Sequence, residues 1–339
     1  MLKYTLHRLL WMMPTLFGIT LVCFAVINLA PGGPVEQAMS KIRMGGAMGS
    51  SGAATGQGVS NEVIEALKRQ YGFDKPAHIR YLIWLRNIVT LDFGESFSYQ
   101  QPVTEVIMDK LPISLQFGVC ALFIIYLVSV PVGIAKAVRD GSHFDLWSSV
   151  MLMVMYSVPP LILGILLRQF LSGGGFLDIL PLGELYSDRY PSMDFFGKVW
   201  DRIQHAVLPL ICYVVNGFTS VTFMMKNSMM EEIRLDYVRT ARAKGLSEHA
   251  VVYKHVLRNA LIPILTGLGH FITVFFAGSI IIEEVFNLGG MGQLSYRSIL
   301  SRDYNVIMAL IFIQSVVAML GRLISDVTYV VVDPRIDFK

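Results

Sequence analysis

The segment Tyr237-Val-Arg-Thr-Ala-Arg-Ala-Lys-Gly-Leu-Ser247 is basic and is interrupted by a glycine, yet long apolar runs lie on both sides of it. Charged residues make up only 16% of the 339 residues, whereas soluble domains usually carry about 25%. Hydrophobic residues account for 54% of the chain. The contrast indicates a membrane protein in which this one polar segment stays in water.

Six apolar runs are long enough to cross a bilayer, whose hydrocarbon core of roughly 30 Å requires about 20 residues per helix. They lie near residues 9–30, 112–135, 148–171, 206–226, 260–285 and 305–331. The first run contains no A-x-A-like cleavage site, so we expect it to remain as a helix rather than to be removed as a signal peptide. The sequence therefore predicts an all-α fold, a polytopic bundle of six transmembrane helices.

The distribution of Lys and Arg predicts the orientation, because these residues concentrate in short cytoplasmic loops. The loop at 227–259 is the most basic one, which places it and both termini in the cytoplasm. The predicted organisation is a cytoplasmic start and first helix at 1–30, a periplasmic subdomain at 31–111, a transmembrane core at 112–331 containing the cytoplasmic loop 227–259, and a cytoplasmic tail at 332–339.

The periplasmic segment 31–111 has two parts. Residues 44–58 are rich in Gly and Ser and predict a flexible loop. Asn61 is a candidate N-cap for a helix that runs to about Tyr71, and residues 77–91 carry apolar side chains at helical spacing. We therefore expect a small helical subdomain on the outer face.

The basic segment itself has the pattern of a helix followed by a turn and a second helix. Gly245 is suited to end the first helix, since glycine tolerates a positive φ, and Ser247 is a candidate N-cap for the second. The alternative is an ordinary basic loop without a defined shape. The apolar residues of the first helix fall on one face: Met230, Ile233, Tyr237 and Ala241.

Two motifs here resemble the EAA loop of ABC importer permeases of the dipeptide/oligopeptide/nickel branch. They are Arg239-Thr-Ala-Arg-Ala-Lys-Gly245 and Arg258-Asn-Ala-Leu-Ile-Pro263. Two further motifs resemble the Yej-type permeases in particular, which are associated with oligopeptide and microcin C uptake. They are Ala30-Pro-Gly-Gly-Pro34 and the C-terminal Asp333-Pro-Arg-Ile-Asp-Phe338. Further matching motifs are Tyr71-Gly-Phe-Asp-Lys-Pro76, Asp92-Phe-Gly-Glu-Ser96, Leu111-Pro-Ile-Ser114, Glu283-Glu-Val-Phe286, Gly290-Met-Gly292 and Arg302-Asp-Tyr304.

The chain departs from the wider superfamily pattern at four positions. Arg239 stands in place of the glutamate of EAA, although this branch often carries Arg-Thr-Ala there. Arg258 replaces a proline after the loop glycine. Gly289 replaces a proline common before the Gly-x-Gly turn, and Gly33 replaces an aspartate common in the Pro-Gly-Asp-Pro turn. Contacts known for the superfamily therefore do not transfer one for one.

The resemblance implies an oligopeptide importer that works by alternating access. It implies three protein partners: a homologous second permease subunit, a cytoplasmic ABC ATPase and a periplasmic peptide-binding protein. Tyr237 and Leu246 would be apolar anchors on the ATPase, with polar contacts from Arg239, Arg242 and Lys244. The coupling residues implied are Tyr237, Arg239, Thr240, Ala241, Arg242, Lys244, Gly245, Leu246 and Ser247.

The chain contains no G-x-x-x-x-G-K-[ST] motif, so it has no P-loop of its own and ATP hydrolysis is expected in a partner. We expect no catalytic residues, cofactor, metal site or nucleic-acid partner, and we expect contact with membrane lipids. Two other functions remain open from the residues alone. They are an ion-driven secondary transporter and a membrane scaffold that does not transport.

Polar residues within the spans are candidates for the translocation path. Asn216, His270 and Gln314 fall in this class, although each fits a helix–helix hydrogen bond equally well. Arg322 and Asp326 are four residues apart and could pair on the sixth span. The simpler interpretation is that both reach the cytoplasmic interface.

At the outer end of the fifth span, Glu283 and Glu284 are candidates for a gate or a binding-protein contact, together with Gly290 and Gly292. An interfacial anchor is the alternative for the two glutamates. Arg168, near the outer end of the third span, is expected to extend to the interface.

Overall fold

The computed structural model describes residues 2–29, 75–267 and 278–332. In these ranges the chain is helical apart from loops, a 3₁₀ turn at Tyr190–Ser192 and two isolated β-bridges. This confirms the predicted all-α fold. The helices are α1 (Leu2–Leu29), α2 (Ala77–Val89), α3 (Val103–Val138), α4 (His143–Ser157), α5 (Pro160–Leu171), α6 (Phe195–Ile233), α7 (Asp236–Ala243), α8 (Glu248–Ala250), a π-helix (Val251–Val256), α9 (Leu257–Ala260), α10 (Ile262–Thr266), α11 (Ile280–Val285), α12 (Met291–Leu300) and α13 (Tyr304–Val332).

Four helices of the described chain are long and apolar enough to cross a membrane. They are the segments Thr5–Leu29, Val103–Val138, Phe195–Ile233 and Tyr304–Thr328, which correspond to the first, second, fourth and sixth predicted spans. With 39 residues at a rise of about 1.5 Å per residue, α6 is roughly 58 Å long. The hydrocarbon core is only roughly 30 Å thick, so α6 must project beyond it.

Residues 148–171, predicted as the third span, form two helices rather than one. α4 and α5 meet at an angle of 93° and together qualify as one broken span, which brings the number of candidate spans in the described chain to five. The bend lies at Pro159 and Pro160. Proline has no N–H to donate and keeps the preceding residue extended, and Val158 is extended with ψ of 115°.

The predicted fifth span, 260–285, falls partly outside the described residues. Its described parts are α10, which carries Pro263 in its first turn, and α11. The predicted loop at 44–58, the helix at 61–71 and the tail from 333 also lie outside the described residues. The helix predicted at 77–91 is confirmed as α2.

The chain divides into two compact units. The smaller unit comprises Leu9–Asp109 and Ser295–Val316, and the larger comprises Met1–Arg8, Lys110–Leu294 and Val317–Lys339. Within the smaller unit, Tyr81 of α2 is only 5% exposed and packs against α1. Its hydroxyl lies 2.9 Å from that of Thr20, so this contact joins α2 to the first span.

An apolar cluster in the larger unit gathers around the end of α6 and the π-helix. Met225 and Met229 of α6 are fully buried there, as are Val251 and Val256 of the π-helix. Their burial stabilises the segment between the fourth and fifth predicted spans, because each large apolar side chain removed from water contributes about 1.5–3 kcal/mol. This cluster positions the basic segment.

Candidate functional site

The basic segment forms the short helix α7. A continuous helix from Met230 to Ala241 is wrong, because α6 ends at Ile233 and Leu235 is extended with φ −74° and ψ 152°. Asp236 then opens α7, where a carboxylate in the first turn is favoured by the helix dipole. The break rotates the apolar face, so that Val238 is buried beside Ala241.

α7 is held by these two small side chains. Val238 is 0% and Ala241 6% exposed, and both belong to the apolar cluster at the end of α6. The sequence pattern assigned this role to Tyr237 and missed Val238. Because α7 is only eight residues long, packing rather than helix propensity must hold it in place. The remaining side chains of the segment are exposed, including Arg239, Arg242 and Lys244.

The turn after α7 is a Schellman motif. The N–H of Gly245 donates to the carbonyl of Arg242 at 2.9 Å, and that of Leu246 donates to the carbonyl of Ala241 at 3.4 Å. Gly245 has φ of +78°. A Cβ there would meet nothing within 4 Å, so glycine is required by conformation and not by space.

The second helix begins as predicted. The hydroxyl of Ser247 accepts from the N–H of Ala250 at 3.4 Å, which satisfies one of the free donors at the helix start. After α8 the chain continues as a six-residue π-helix, Val251–Val256. π-Helical turns occur frequently at functional sites. The segment is therefore a defined helix–turn–helix and not a shapeless basic loop.

An ion pair spans the turn. Nε of Arg242 lies 2.7 Å from Oε1 of Glu248, and a terminal guanidinium nitrogen lies 3.3 Å from Oε2, which is a bidentate geometry. The hydrogen bond from Arg242 holds the pKa of Glu248 below its ordinary value, and Glu248 in turn raises the pKa of Arg242. Both side chains are exposed, so the pair adds orientation rather than much stability.

Tyr237 belongs to a polar contact that the sequence pattern did not reveal. Its hydroxyl donates to Oε2 of Glu232 at 2.5 Å and accepts from the side-chain amide of Asn259 at 3.2 Å. Burial, reinforced by the bond to Glu232, raises the pKa of Tyr237 to about 12. The phenol is therefore protonated at physiological pH and joins α6, α7 and α9. Tyr237 as a whole remains 37% exposed, and Leu246 is 41% exposed.

A partly buried ionic cluster lies at the same end of α6. Lys226 is 2.9 Å from Asp140 and 2.7 Å from Asp145. Lys136, which is 0% exposed, lies 3.0 Å from the other oxygen of Asp145 and donates to Ser149 at 2.7 Å. The buried Lys136 and the partly buried Lys226 thus each have a carboxylate partner, as removal of a charge from water requires. The cluster connects α3, α4 and α6 close to the helix–turn–helix.

Glu283 is one of the two glutamates predicted to form a gate, a binding-protein contact or an interfacial anchor. Its side chain is fully buried, so it is not an interfacial anchor. Its Oε1 accepts from the hydroxyls of Ser114 at 2.6 Å and Tyr213 at 3.2 Å. The N–H of Ser279 also donates to Oε1, at 3.3 Å, and the N–H of Gln293 donates to Oε2 at 3.0 Å. Four donors from separate parts of the chain therefore converge on one carboxylate.

The glycines around Glu283 are required by close approach. A Cβ on Gly290 would lie 2.6 Å from Oε2 of Glu283 and 2.5 Å from the hydroxyl of Ser114. A Cβ on Gly292 would lie 2.6 Å from the backbone nitrogen of Ile280. Gly290 thus allows the loop before α12 to close over the carboxylate, and Gly292 allows the first turn of α12 to approach the backbone of Ser279 and Ile280. Glu284 is partly exposed.

The other predicted residues that the structure describes lie on α5, α6 and α13. Asn216 and Gln314 are partly buried, and His270 lies outside the described residues. The carboxylate of Asp326 lies 3.2 Å from Arg8 of α1. Arg168 does not simply extend to the interface, since its guanidinium donates to the carbonyl of Val285 at 2.9 Å.

Known proteins are similar to this chain over most of its length. A family model described as "Binding-protein-dependent transport system inner membrane component" matches residues 129–338. The chain is 42% identical over 357 aligned residues to the peptidoglycan transport system permease protein YejB of Agrobacterium fabrum, across 99% of this chain and 98% of that protein. It is 32% identical over 339 aligned residues to the oligopeptide transport system permease protein AppB of Bacillus subtilis, across 100% of both.

Among solved structures, the MetNI methionine ABC transporter in an inward-facing crystal form aligns with a TM-score of 0.47 and 17% identity. The alignment covers 66% of this chain and 97% of that chain.

Proposed function

The chain belongs to the family of binding-protein-dependent transport system inner membrane components, and on that premise we propose that the segment Tyr237–Ser247 couples its membrane helices to a separate ATPase. Membership in the family makes the chain a multi-pass permease subunit of an ABC importer in the inner membrane, and it confirms the family predicted from the EAA-like motifs. The chain is not an enzyme, and ATP hydrolysis belongs to a partner. The importer also includes a substrate-binding protein and a second permease subunit.

One observation carries the coupling proposal. α7 is fixed to the end of α6 by the burial of Val238 and Ala241, while Arg239, Arg242 and Lys244 remain exposed. A lever transmits motion only when it is rigidly attached to the element that it moves and when its partner favours one of two positions. The cluster at α6 and the contacts of Tyr237 supply the attachment. The exposed cations supply a surface for the ATPase.

We place this segment and both termini in the cytoplasm, because the loop at 227–259 is the richest in Lys and Arg. Residues 31–111 then lie in the periplasm, within reach of the substrate-binding protein. Residues 112–331 form the transmembrane permease core. The second permease subunit in this proposal is a homologue, so that the pair is a heterodimer.

The proposed cargo is an oligopeptide. The relative AppB is described as an oligopeptide permease and YejB as a peptidoglycan permease, and peptidoglycan contains short peptides. Peptide antibiotics such as microcin C belong to the same chemical class. Uptake of defined oligopeptides into cells that carry the complete importer, with and without the gene for this chain, tests the cargo. Absence of any difference would contradict it.

The coupling proposal is tested by reversing one exposed charge. The Arg239 side chain is 75% exposed and pairs with Asp236 of the same helix, so Arg239→Glu should fold normally. We expect it to lower ATP-driven uptake at least about tenfold. In the proposal Arg239 faces acidic groups of the ATPase, and a glutamate there would place like charges in contact, which costs several kcal/mol at an interface. The control is Arg139→Glu, the same charge change at an exposed residue of the neighbouring predicted cytoplasmic loop.

A second variant tests the shape of the turn. Gly245→Pro demands φ near −65° where the chain has +78°, so uptake and co-purification of the ATPase should both fall. If Arg239→Glu and Gly245→Pro both leave ATP-driven uptake unchanged, the segment is not the coupling element.

A further inference from the structure

A cavity of about 260 Å³ opens within the smaller unit, between the last turns of α1, the helix α2 and the first turns of α13. Two candidate membrane spans end here, since one runs to Leu29 and the other begins at Tyr304. The cavity therefore lies at a membrane surface. Rings of Phe24, Trp84 and Phe93 line it, and aromatic side chains are typical of the depth at which lipid headgroups lie.

The cavity carries a fixed positive charge. Lys75 and Arg80 line it together with one carboxylate, that of Asp92, which accepts from the N–H of Gly94 at 2.9 Å. The guanidinium of Arg80 donates to the side-chain oxygen of Asn28. It also lies 5.9 Å from the ring centroid of Phe24. Arg80 is thus oriented before any ligand arrives, and the lining favours an anion.

Trp84 supplies an independent sign of a missing acceptor. Its Nε1 is buried and has no hydrogen-bond partner within the described part of the chain, although Trp84 lines the cavity. Buried N–H groups almost always have an acceptor, and burial of one without a partner destabilises the fold. A ligand with oxygen acceptors would remove that destabilisation.

We propose that this cavity binds an anionic glycerophospholipid from the adjacent leaflet. The phosphate meets Arg80 and Lys75, and an ester or glycerol oxygen accepts from Trp84. The volume suits a headgroup and glycerol but not acyl chains, which lie along the apolar surface of α1, where Val22 and Val26 are 62% and 61% exposed. Basic pockets beside membrane helices bind anionic headgroups by this chemistry. The site is independent of the coupling segment.

The test uses the intact importer in mild detergent, titrated with phosphatidylglycerol and read by native mass spectrometry. We expect Arg80→Gln to weaken binding about tenfold or more, since a hydrogen bond to a charged group contributes about 1.5–3 kcal/mol. Ile83→Trp fills the cavity while keeping Arg80, and should weaken binding equally. The control is Arg86→Gln on the same helix, at an exposed residue that does not line the cavity, which should stay within about twofold of wild type.

Three results would overturn the proposal. The first is equal phosphatidylglycerol affinity for Ile83→Trp and wild type, which keeps the test valid even if Arg80→Gln fails to fold. The second is equal binding of glycerol 3-phosphate, which would make this a site for free phosphate esters. The third is displacement of the lipid by oligopeptide, which would assign the cavity to the cargo.

Discussion

Replacing Glu283 by glutamine should destabilise the membrane domain, because the buried carboxylate accepts from four donors. The amide can keep one oxygen for Ser114, Tyr213 and Ser279. Its NH₂ group then faces the N–H of Gln293, which loses an acceptor now 3.0 Å away. An unsatisfied buried donor costs about 1–3 kcal/mol, and bonds to a neutral oxygen are weaker than bonds to a charged one. Relief of the buried charge offsets part of this loss, so we expect roughly 2 kcal/mol.

The assay is the free energy of unfolding in SDS mixed micelles. Glu283→Ala removes every acceptor and leaves a void, so it should cost more than glutamine, about 3–5 kcal/mol. Ser114→Ala removes one donor and also the acceptor of the Met291 N–H at 2.7 Å, and should cost about 1–3 kcal/mol. The control Asp109→Asn removes an exposed carboxylate from α3 and should stay within about 0.5 kcal/mol. If Glu283→Gln matches this control, the carboxylate does not hold these elements together.

Three further changes test the basic segment and the end of α6 beside it. Lys136→Met leaves Asp145 paired with Lys226 alone. In the same assay we expect it to lower the free energy of unfolding by about 3 kcal/mol, because breaking a buried ion pair costs roughly 3–5 kcal/mol and one partner of Asp145 remains. Tyr237→Phe should cost about 0.5–1.5 kcal/mol, and uptake should show no titration of this phenol below pH 10, because its pKa is raised to about 12. Arg242 lowers the pKa of Glu248 from its ordinary value of 4.5. The coupling free energy of the two side chains, measured by a double-mutant cycle, should therefore be present above pH 4.5 and disappear as the pH falls through the lowered pKa of the folded protein. A coupling free energy that persists at pH 2 would contradict this ion pair.

The turn of the basic segment could be predicted because its determinants are local. Gly245 and Ser247 act on hydrogen bonds within five residues of themselves, and the structure has both features where the sequence predicted them. The buried face of α7 could not be predicted in the same way. A two-residue break at Arg234 and Leu235 shifts the helical phase, so Val238 replaces Tyr237 as the buried residue.

The sequence by itself determined that the chain is a helical membrane protein, because apolar runs of about 20 residues have no other stable place than a bilayer. It also determined the family, through short motifs spread along the chain. The sequence predicted six spans, while the tertiary structure bends the third of these at Pro159 and Pro160. Only the tertiary structure decided which polar groups meet. Ser114 and Glu283 are 169 residues apart, and no local periodicity encodes a contact that forms when buried donors from distant helices must share one carboxylate. The same reason applies to the basic segment with which the sequence analysis began: its turn is local, but its attachment to α6 depends on the folded core.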